Sequence, residues 1–331
     1  MILAGDIGGT NARLAYFQPQ NGGLHLVSES IFPSREFRDF GEIVCRFLQD
    51  SSTRPQVACF GIAGPVRDGR VATSNLPWTI EQGRLAQQIH LPATLLINDL
   101  EASAWGIGGL SSKDFAPLHQ VGHAMGNQAV IAPGTGLGEA GLFWNGKRYE
   151  IFACEGGHTD FAPQGELQIE LLRFLASRYG HVSYERILSG PGLVNVYEFL
   201  TLREAREPGT LDASLAQEDA AAAISRAALD GTNPLAGKAL DLWISVYGAE
   251  AGNLALKVMA TGGIFLGGGI SPKILPKLTQ PIFMNSFLEK GRLRPLLESI
   301  PVQVITNDKA GLLGAARCAA ANCNGTLTGA S

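Results

Sequence analysis

Asp99 closes the run "LLIND", and it stands where a base for an alcohol would be useful. Leu95 to Ile97 read as a buried strand, and the "LEASAWG" that follows reads as a helix. A carboxylate at the carboxyl end of such a strand lies where open α/β sheets bind ligands. A helix N-terminus favours its ionised form, the form that accepts a hydroxyl proton in phosphoryl transfer to an alcohol. The local alternative is that aspartate is a favoured N-cap.

Two glycine turns could supply the phosphate side of such a reaction. Asp6-Ile7-Gly8-Gly9-Thr10-Asn11 lies between two apolar runs. Glycines let backbone N–H groups approach an anion closely, and Thr10 and Asn11 add donors. Asp6 could hold Mg²⁺ through water, because Mg²⁺ keeps much of its hydration shell. A polar hairpin with Asp6 in an Asx turn explains this stretch equally well. Gly134-Thr135-Gly136-Leu137-Gly138 has the same strand–turn–strand setting in the other half of the chain, and two such loops could hold a polyphosphate. A merely tight turn is the lesser alternative. Gly267-Gly268-Gly269 sits between a strand and a helix, as either a nucleotide-lining turn or an ordinary strand-to-helix turn.

Two further patterns mislead. Gly136 to Gly141 matches G-x-G-x-x-G, but a dinucleotide fingerprint needs a helix after it, and "GLFWNGKRY" reads as strand and hairpin. Gly141 to Arg148 nearly matches a P-loop but has Arg148 where Ser or Thr should hold the metal. Both are rejected.

In "CEGGHTDFAP", Glu155 and His158 are separated by two glycines. With one histidine and no nearby cysteine partner, hydroxyl binding by carboxylate and imidazole fits better than a metal pair. Glu185, in "HVSYERILSGPG", reads as a short-helix residue, and Asn75, in "TSNLPW", as a turn residue that could also touch substrate.

The elements around these residues alternate. "ILA" and "ARLAYFQ" read as strands and "GGLHLVSESIF" as a third, followed by a helix in "FRDFGEIVCRFLQD", a buried strand in "QVACFGIAGPV" and a helix in "TIEQGRLAQQIH". After "GIGGLSSKDF" the scheme restarts with "AVIAPGTGLGEAGLFW", and Asn145-Gly146 suggests a type I′ hairpin. "ELQIELLRFLASRYG" reads as a helix closed by Gly180. A helical insertion is expected from Arg203 to Pro234, then a long helix from Leu235. Ser271 reads as an N-cap with Pro272 at N1, "VQVITND" as the last strand, and "KAGLLGAARCAAA" as a helix whose small residues allow close packing. This is α/β order with partly parallel sheets. Two similar units would face each other across a cleft, a common place for small ligands.

The 331 residues suit about two domains. With 45% hydrophobic and 17% charged residues, a large core is expected rather than disorder. Net charge is −4 without a Lys/Arg run, which disfavours a nucleic-acid partner. Five scattered cysteines without C-x-x-C argue against a disulfide framework and a zinc knuckle. There is no signal-peptide pattern and no apolar run of the roughly 18 residues that span a bilayer, so a cytoplasmic address without a membrane partner is expected.

Taken in order, "DIGGTNARLA", "INDLEA", "APGTGLGEAGL", "EGGHTDFAP", "YERILSGPGL", "FLGGGI" and "NDKAGLLGAA" resemble the bacterial glucokinase family of the hexokinase/actin-like ATP-binding superfamily. The resemblance covers nearly the whole chain. It implies two RNase H-like domains flanking an interdomain cleft: a small one at 1–109, completed by a C-terminal helix at 308–331, and a large one at 110–307 with the helical insertion. It implies Asp99 as catalytic base, and Asn98, Asp99, Glu155, His158 and Glu185 as glucose ligands. Gly8, Gly9, Thr10 and Asn11 match a first phosphate loop with Asp6 near Mg²⁺. Gly134, Thr135, Gly136 and Gly138 match a second, and Gly267, Gly268 and Gly269 an adenosine site. ATP and D-glucose are the implied partners, and a homodimer the implied assembly. Related kinases and repressors carry a Cys-rich zinc motif after the histidine, where this chain has Thr159 to Pro163, so that branch and a DNA-binding segment are not expected. Alternatives are a kinase for another hexose, a non-catalytic sugar sensor, or a bare ATPase of the actin type.

Overall fold

A computed structural model describes residues 1–20, 23–49, 54–73, 76–122, 124–204 and 219–326, the last four as backbone only. It resolves into two compact units, Met1–Asp114 with Asn307–Ser331, and Phe115–Thr306.

The first unit is built on strands β1 (Ile2–Ile7), β2 (Asn11–Gln20), β3 (Gly23–Pro33), β4 (Val57–Ile62) and, after the short hairpin β5 (Arg70–Ala72) and β6 (Thr79–Glu81), β7 (Thr94–Asn98). The sheet order is β3-β2-β1-β4-β7. β1, β2 and β3 form an antiparallel meander, and β1, β4 and β7 run parallel. Every residue of β4 is buried, as a strand covered on both faces requires. One face packs Leu3, Leu14, Tyr16 and Phe60 beneath helices α1 (Phe40–Gln49) and α2 (Gln82–Gln88). Thr79–Glu81, expected as the first turn of α2, is instead the strand β6. The other face packs Ile2, Ala4, Phe17, Val57 and Cys59 against Leu312, Ala315 and Ala316 of the C-terminal helix, Ala310–Thr326. That helix lies on α3 (Asp99–Ile107) at backbone contact: a Cβ at Gly314 would stand 1.6 Å from the Ala102 carbonyl oxygen. The small residues there are a packing requirement.

The second unit repeats the scheme. Its strands are β8 (Phe115–His119), β9 (Gln128–Pro133), β10 (Leu137–Trp144), β11 (Tyr149–Cys154), β12 (Gly263–Leu266) and β13 (Val302–Ile305), ordered β11-β10-β9-β12-β13-β8. Again three antiparallel strands are followed by two parallel ones, with β8 added antiparallel at the edge. The Trp144–Tyr149 connection is not the expected type I′ turn. Asn145 has a negative φ, and its Oδ1 accepts from Lys147 N and Arg148 N, an Asx-type closure of a four-residue loop.

Helix α4 (Gly165–Tyr179) ends at Gly180, whose φ of 71° needs a glycine. Helices α5 (Gly190–Arg203), α6 (Ala220–Leu229) and α7 (Pro234–Val258) follow, and residues 205–218 of the expected insertion lie outside the described residues. α7 is capped by Asn233, whose Oδ1 accepts from Leu235 N and Ala236 N. It is buried along most of its length, and Gly248 and Gly252 admit the backbone of Phe283 and Phe287. Ser271 is not a helix cap: its hydroxyl donates to Gly267 O and meets Tyr247 Oη, and the next helix, α8, spans Leu275–Leu278. Among the described residues no helix is long and apolar enough to cross a membrane.

Candidate functional site

In the first unit, Asp6 is a strand residue rather than an Asx-turn residue. It pairs across the ladder with Arg13, one position before β1 ends. Burial raises its carboxyl above the ordinary value, Arg13 opposes that, and Asp308 adds to it. A Cβ at Gly311 would stand 3.4 Å from the Asp6 carboxyl, so the C-terminal helix approaches it directly. Gly8, Gly9 and Thr10 make the turn into Asn11. Gly8 N donates to Asn11 O at 2.9 Å, and buried Ser34 holds the turn from beneath through N to Thr10 O (2.9 Å) and Oγ to Gly8 O (3.0 Å). The carbonyls of Gly8, Thr10 and Asn11 are thus held by the protein, while Thr10 and Asn11 remain exposed.

β7 delivers Asn98 and Asp99 at its carboxyl end. The cap of α3 is Asn98, one residue earlier than expected. Its Oδ1 accepts from Leu100 N at 2.8 Å, and its own N donates to Glu101 Oε2 at 3.1 Å, a capping box. Asn98 Nδ2 donates to Gly64 O at 3.1 Å, so much of this amide's bonding is local. Asp99 is therefore the first residue of the helix proper. Its Oδ1 accepts from Leu100 N at 3.0 Å, and its backbone lies over Gly61 of β4, where a Cβ would stand 3.7 Å from Asp99 Cα.

In the second unit three distant segments converge. Gly134 N donates to Gly136 O at 2.8 Å, closing the Gly134–Gly138 turn that leads into β10. Glu185, on a 3₁₀ turn at Tyr184–Arg186, accepts from Leu137 N at 3.0 Å, and a Cβ at Gly136 would stand 2.4 Å from its Oε2. His158 lies between two carboxylates, with Nδ1 3.9 Å from Glu185 Oε1 and Nε2 3.9 Å from Glu155 Oε2. The glycines between Glu155 and His158 are required by space. A Cβ at Gly157 would stand 2.1 Å from Leu137 O, and one at Gly156 1.8 Å from Glu139 Oε2. Glu155, His158 and Glu185 thus form one polar group on the rim of a glycine turn. Glu139 beneath it was not singled out in the sequence, where it sat inside a rejected G-x-G-x-x-G pattern.

A cavity of about 950 Å³ adjoins that turn, lined by Gly134, Thr135, Gly190, Trp243, Gly269 and Lys273 among others. Of the three glycines expected to line an adenosine, Gly269 does so. Gly267 and Gly268 pack on β9 instead: Gly268 has φ +76° and would carry a Cβ 2.3 Å from Pro133 O. Gly190 and Lys273 were missed in the sequence. The signal for Gly190 was the "SGPG" start of α5, where Gly190 N donates to Gly134 O. Gly138 is a ladder residue opposite Ala132. Asn75 lies outside the described residues.

Two α/β units of matching strand order, each with a glycine turn between its first antiparallel strands, define the two-domain actin-like ATPase fold. The family model "Glucokinase" matches residues 3–322. A glucokinase from Trichormus variabilis is 42% identical over 97% of this chain and 99% of its own length. The crystal structure of a glucokinase from an Antarctic psychrotroph superposes with a TM-score of 0.84 at 32% identity, covering 97% of this chain and 98% of that one. A Streptomyces griseus ROK-family glucokinase, solved with glucose and AMPPNP, shares the fold at 22% identity and TM-score 0.62, covering 97% and 99%. The chain belongs to the glucokinase family, kinases that bind glucose and ATP.

Proposed function

We propose that Asp99 is the base in transfer of the ATP γ-phosphoryl group to the 6-hydroxyl of D-glucose. Its carboxylate accepts the hydroxyl proton as the sugar oxygen bonds to phosphorus and the bond to the ADP oxygen breaks. Such a base is worth about 10²–10⁴ in rate. Asn98, Glu155, His158 and Glu185 hold sugar hydroxyls together with Asp99. The backbone N–H groups of Gly9 and Thr10 in the first turn, and of Thr135 and Gly136 in the second, receive the phosphates, and the cavity beside Gly269 receives the adenosine. The observation that carries this reading is the placement of Asp99: a helix's first turn, at the carboxyl end of a parallel strand. The nucleotide analogue bound to the Streptomyces griseus relative supports ATP as donor.

Asp6 fits Mg²⁺ held through water. Mg²⁺ takes one or two carboxylates together with waters and substrate phosphates, and a nearby cation would reverse the effect of burial on Asp6. When bound, the ion neutralises charge on the transferring phosphates. The reading includes a homodimer, which light scattering tests by mass. The main experiment is Asp99→Asn, followed by glucose-dependent ADP formation and by ATP binding. Turnover falls about 10²–10⁴-fold with ATP binding retained; unchanged turnover would remove Asp99 from the chemistry.

A further inference from the structure

Glu139 is 2% exposed, and its Oε1 has no hydrogen-bond partner. It sits on β10 directly opposite Cys154, the residue before Glu155. Its Oε2 lies against Gly156, so the carboxyl is the floor of the turn that carries Glu155 and His158. Behind it, α7 contributes Glu250, fully buried and paired with Lys257 Nζ at 2.9 Å and Asn253 Nδ2 at 2.7 Å. Glu250 also faces Tyr184, and Lys290 reaches Asn253 Oδ1 at 2.7 Å. The titratable groups that feel Glu139 are therefore Glu250, Lys257 and Tyr247 on α7, and Cys154 on β11.

We propose that Glu139 is a positioning residue for the sugar site: its buried carboxyl supports the Gly156–Gly157 turn and so sets where Glu155 and His158 meet glucose. This rests on the assignment of those two residues to the sugar. Lys257 is already engaged by Glu250, so a second carboxylate in this pocket meets a like charge with no counterion to itself. Burial first, and Glu250 second, push the Glu139 carboxyl up to about 8. When it ionises, repulsion and desolvation drive it toward water. The turn lies directly against it, so the turn moves with it.

The test is the KM for glucose between pH 6.5 and 9.5 at saturating ATP, with the KM for ATP measured in parallel. If only the neutral form is competent, the glucose KM rises about 10-fold by pH 9, and the ATP KM does not follow. Glu139→Gln keeps the shape without the titration and abolishes the rise. Cys154→Ser keeps the rise, which excludes the thiol. A flat wild-type profile, or a rise that survives in Glu139→Gln, overturns the proposal. The wild-type profile alone decides if Glu139→Gln does not fold. His158→Ala separates the two readings. If it leaves the glucose KM unchanged, the sugar-site assignment fails. If it raises that KM while Glu139→Gln leaves the pH rise in place, the positioning role alone fails.

Discussion

Gly157→Ala adds one methyl group where the turn of the proposed sugar site meets the backbone of β10. The new Cβ would stand 2.1 Å from Leu137 O and 2.9 Å from Leu137 C. Leu137 opens β10 and its N–H donates to Glu185, so a retreating Leu137 carbonyl would disturb the seat of Glu185. The Glu155–His158 turn must withdraw instead, by somewhat more than 1 Å to open 2.1 Å to the 3.4 Å of ordinary contact. A misplacement of that size costs on the order of 100-fold in rate, about 2.7 kcal/mol in transition-state binding. Overpacking costs about 1–3 kcal/mol of stability, a fall of roughly 2–12 °C in Tm for a unit of this size. The assay is glucose-dependent kinetics at saturating ATP beside a thermal melt. The expected result is a glucose kcat/KM about 100-fold lower with the KM for ATP nearly unchanged. A variant with native glucose kinetics would show that the turn's position does not govern sugar binding.

Three further substitutions address other parts of the molecule. Asn98→Ala removes the cap of α3 and the bond to Gly64, and denaturant unfolding should report a loss of about 1–2 kcal/mol; an unmoved midpoint would deny the cap its role. Gly314→Ala drives a Cβ to within 1.6 Å of Ala102 O. It should cost more than about 3 kcal/mol and speed proteolysis of the C-terminal helix, so native protease resistance would contradict the packing. Glu139 titrates near 8 when folded against an ordinary 4.5. Between those values the folded chain keeps a proton that the unfolded chain has lost, so stability falls as pH rises through that window and levels off above it. The contribution is up to roughly 5 kcal/mol. Glu139→Gln should flatten the wild-type decline in denaturant titrations at pH 5, 6.5 and 8, whereas parallel curves for the two proteins would refute the coupling.

Strand positions were legible where the strands are continuous apolar runs. "VACFGI" reads as a buried strand and is one. The turns were legible as glycine, but several of the reasons for glycine were not. Gly156 and Gly157 show no unusual φ. They are excluded from having side chains by Glu139 and Leu137, which precede them by 17 and 20 positions. Ser271 reads as a cap because its neighbours suit one, yet its hydroxyl is drawn to Tyr247 on a helix that local pattern cannot bring near. The α3 cap fell one residue early because Asn98 and Asp99 are both good caps, and only the backbone decides between them. The proximity of Glu155, His158 and Glu185 was suggested by residue type and by resemblance. The hydrogen bond that seats Glu185, from Leu137 N, spans 48 positions and is invisible to any local reading.

The last helix of the first unit is drawn from the far end of the chain, and this orders events during synthesis. Ile2, Ala4, Val57 and Cys59 form a greasy surface whose cover, Leu312 to Ala319, has not yet been made when residue 114 leaves the ribosome. At the usual pace of translation that surface waits on the order of 10–40 s. The second unit, contiguous from Phe115 to Thr306, is complete before then. The part of the protein made first is thus finished last, and a nascent-chain chaperone would find its target in that interval on the bare side of β1 and β4.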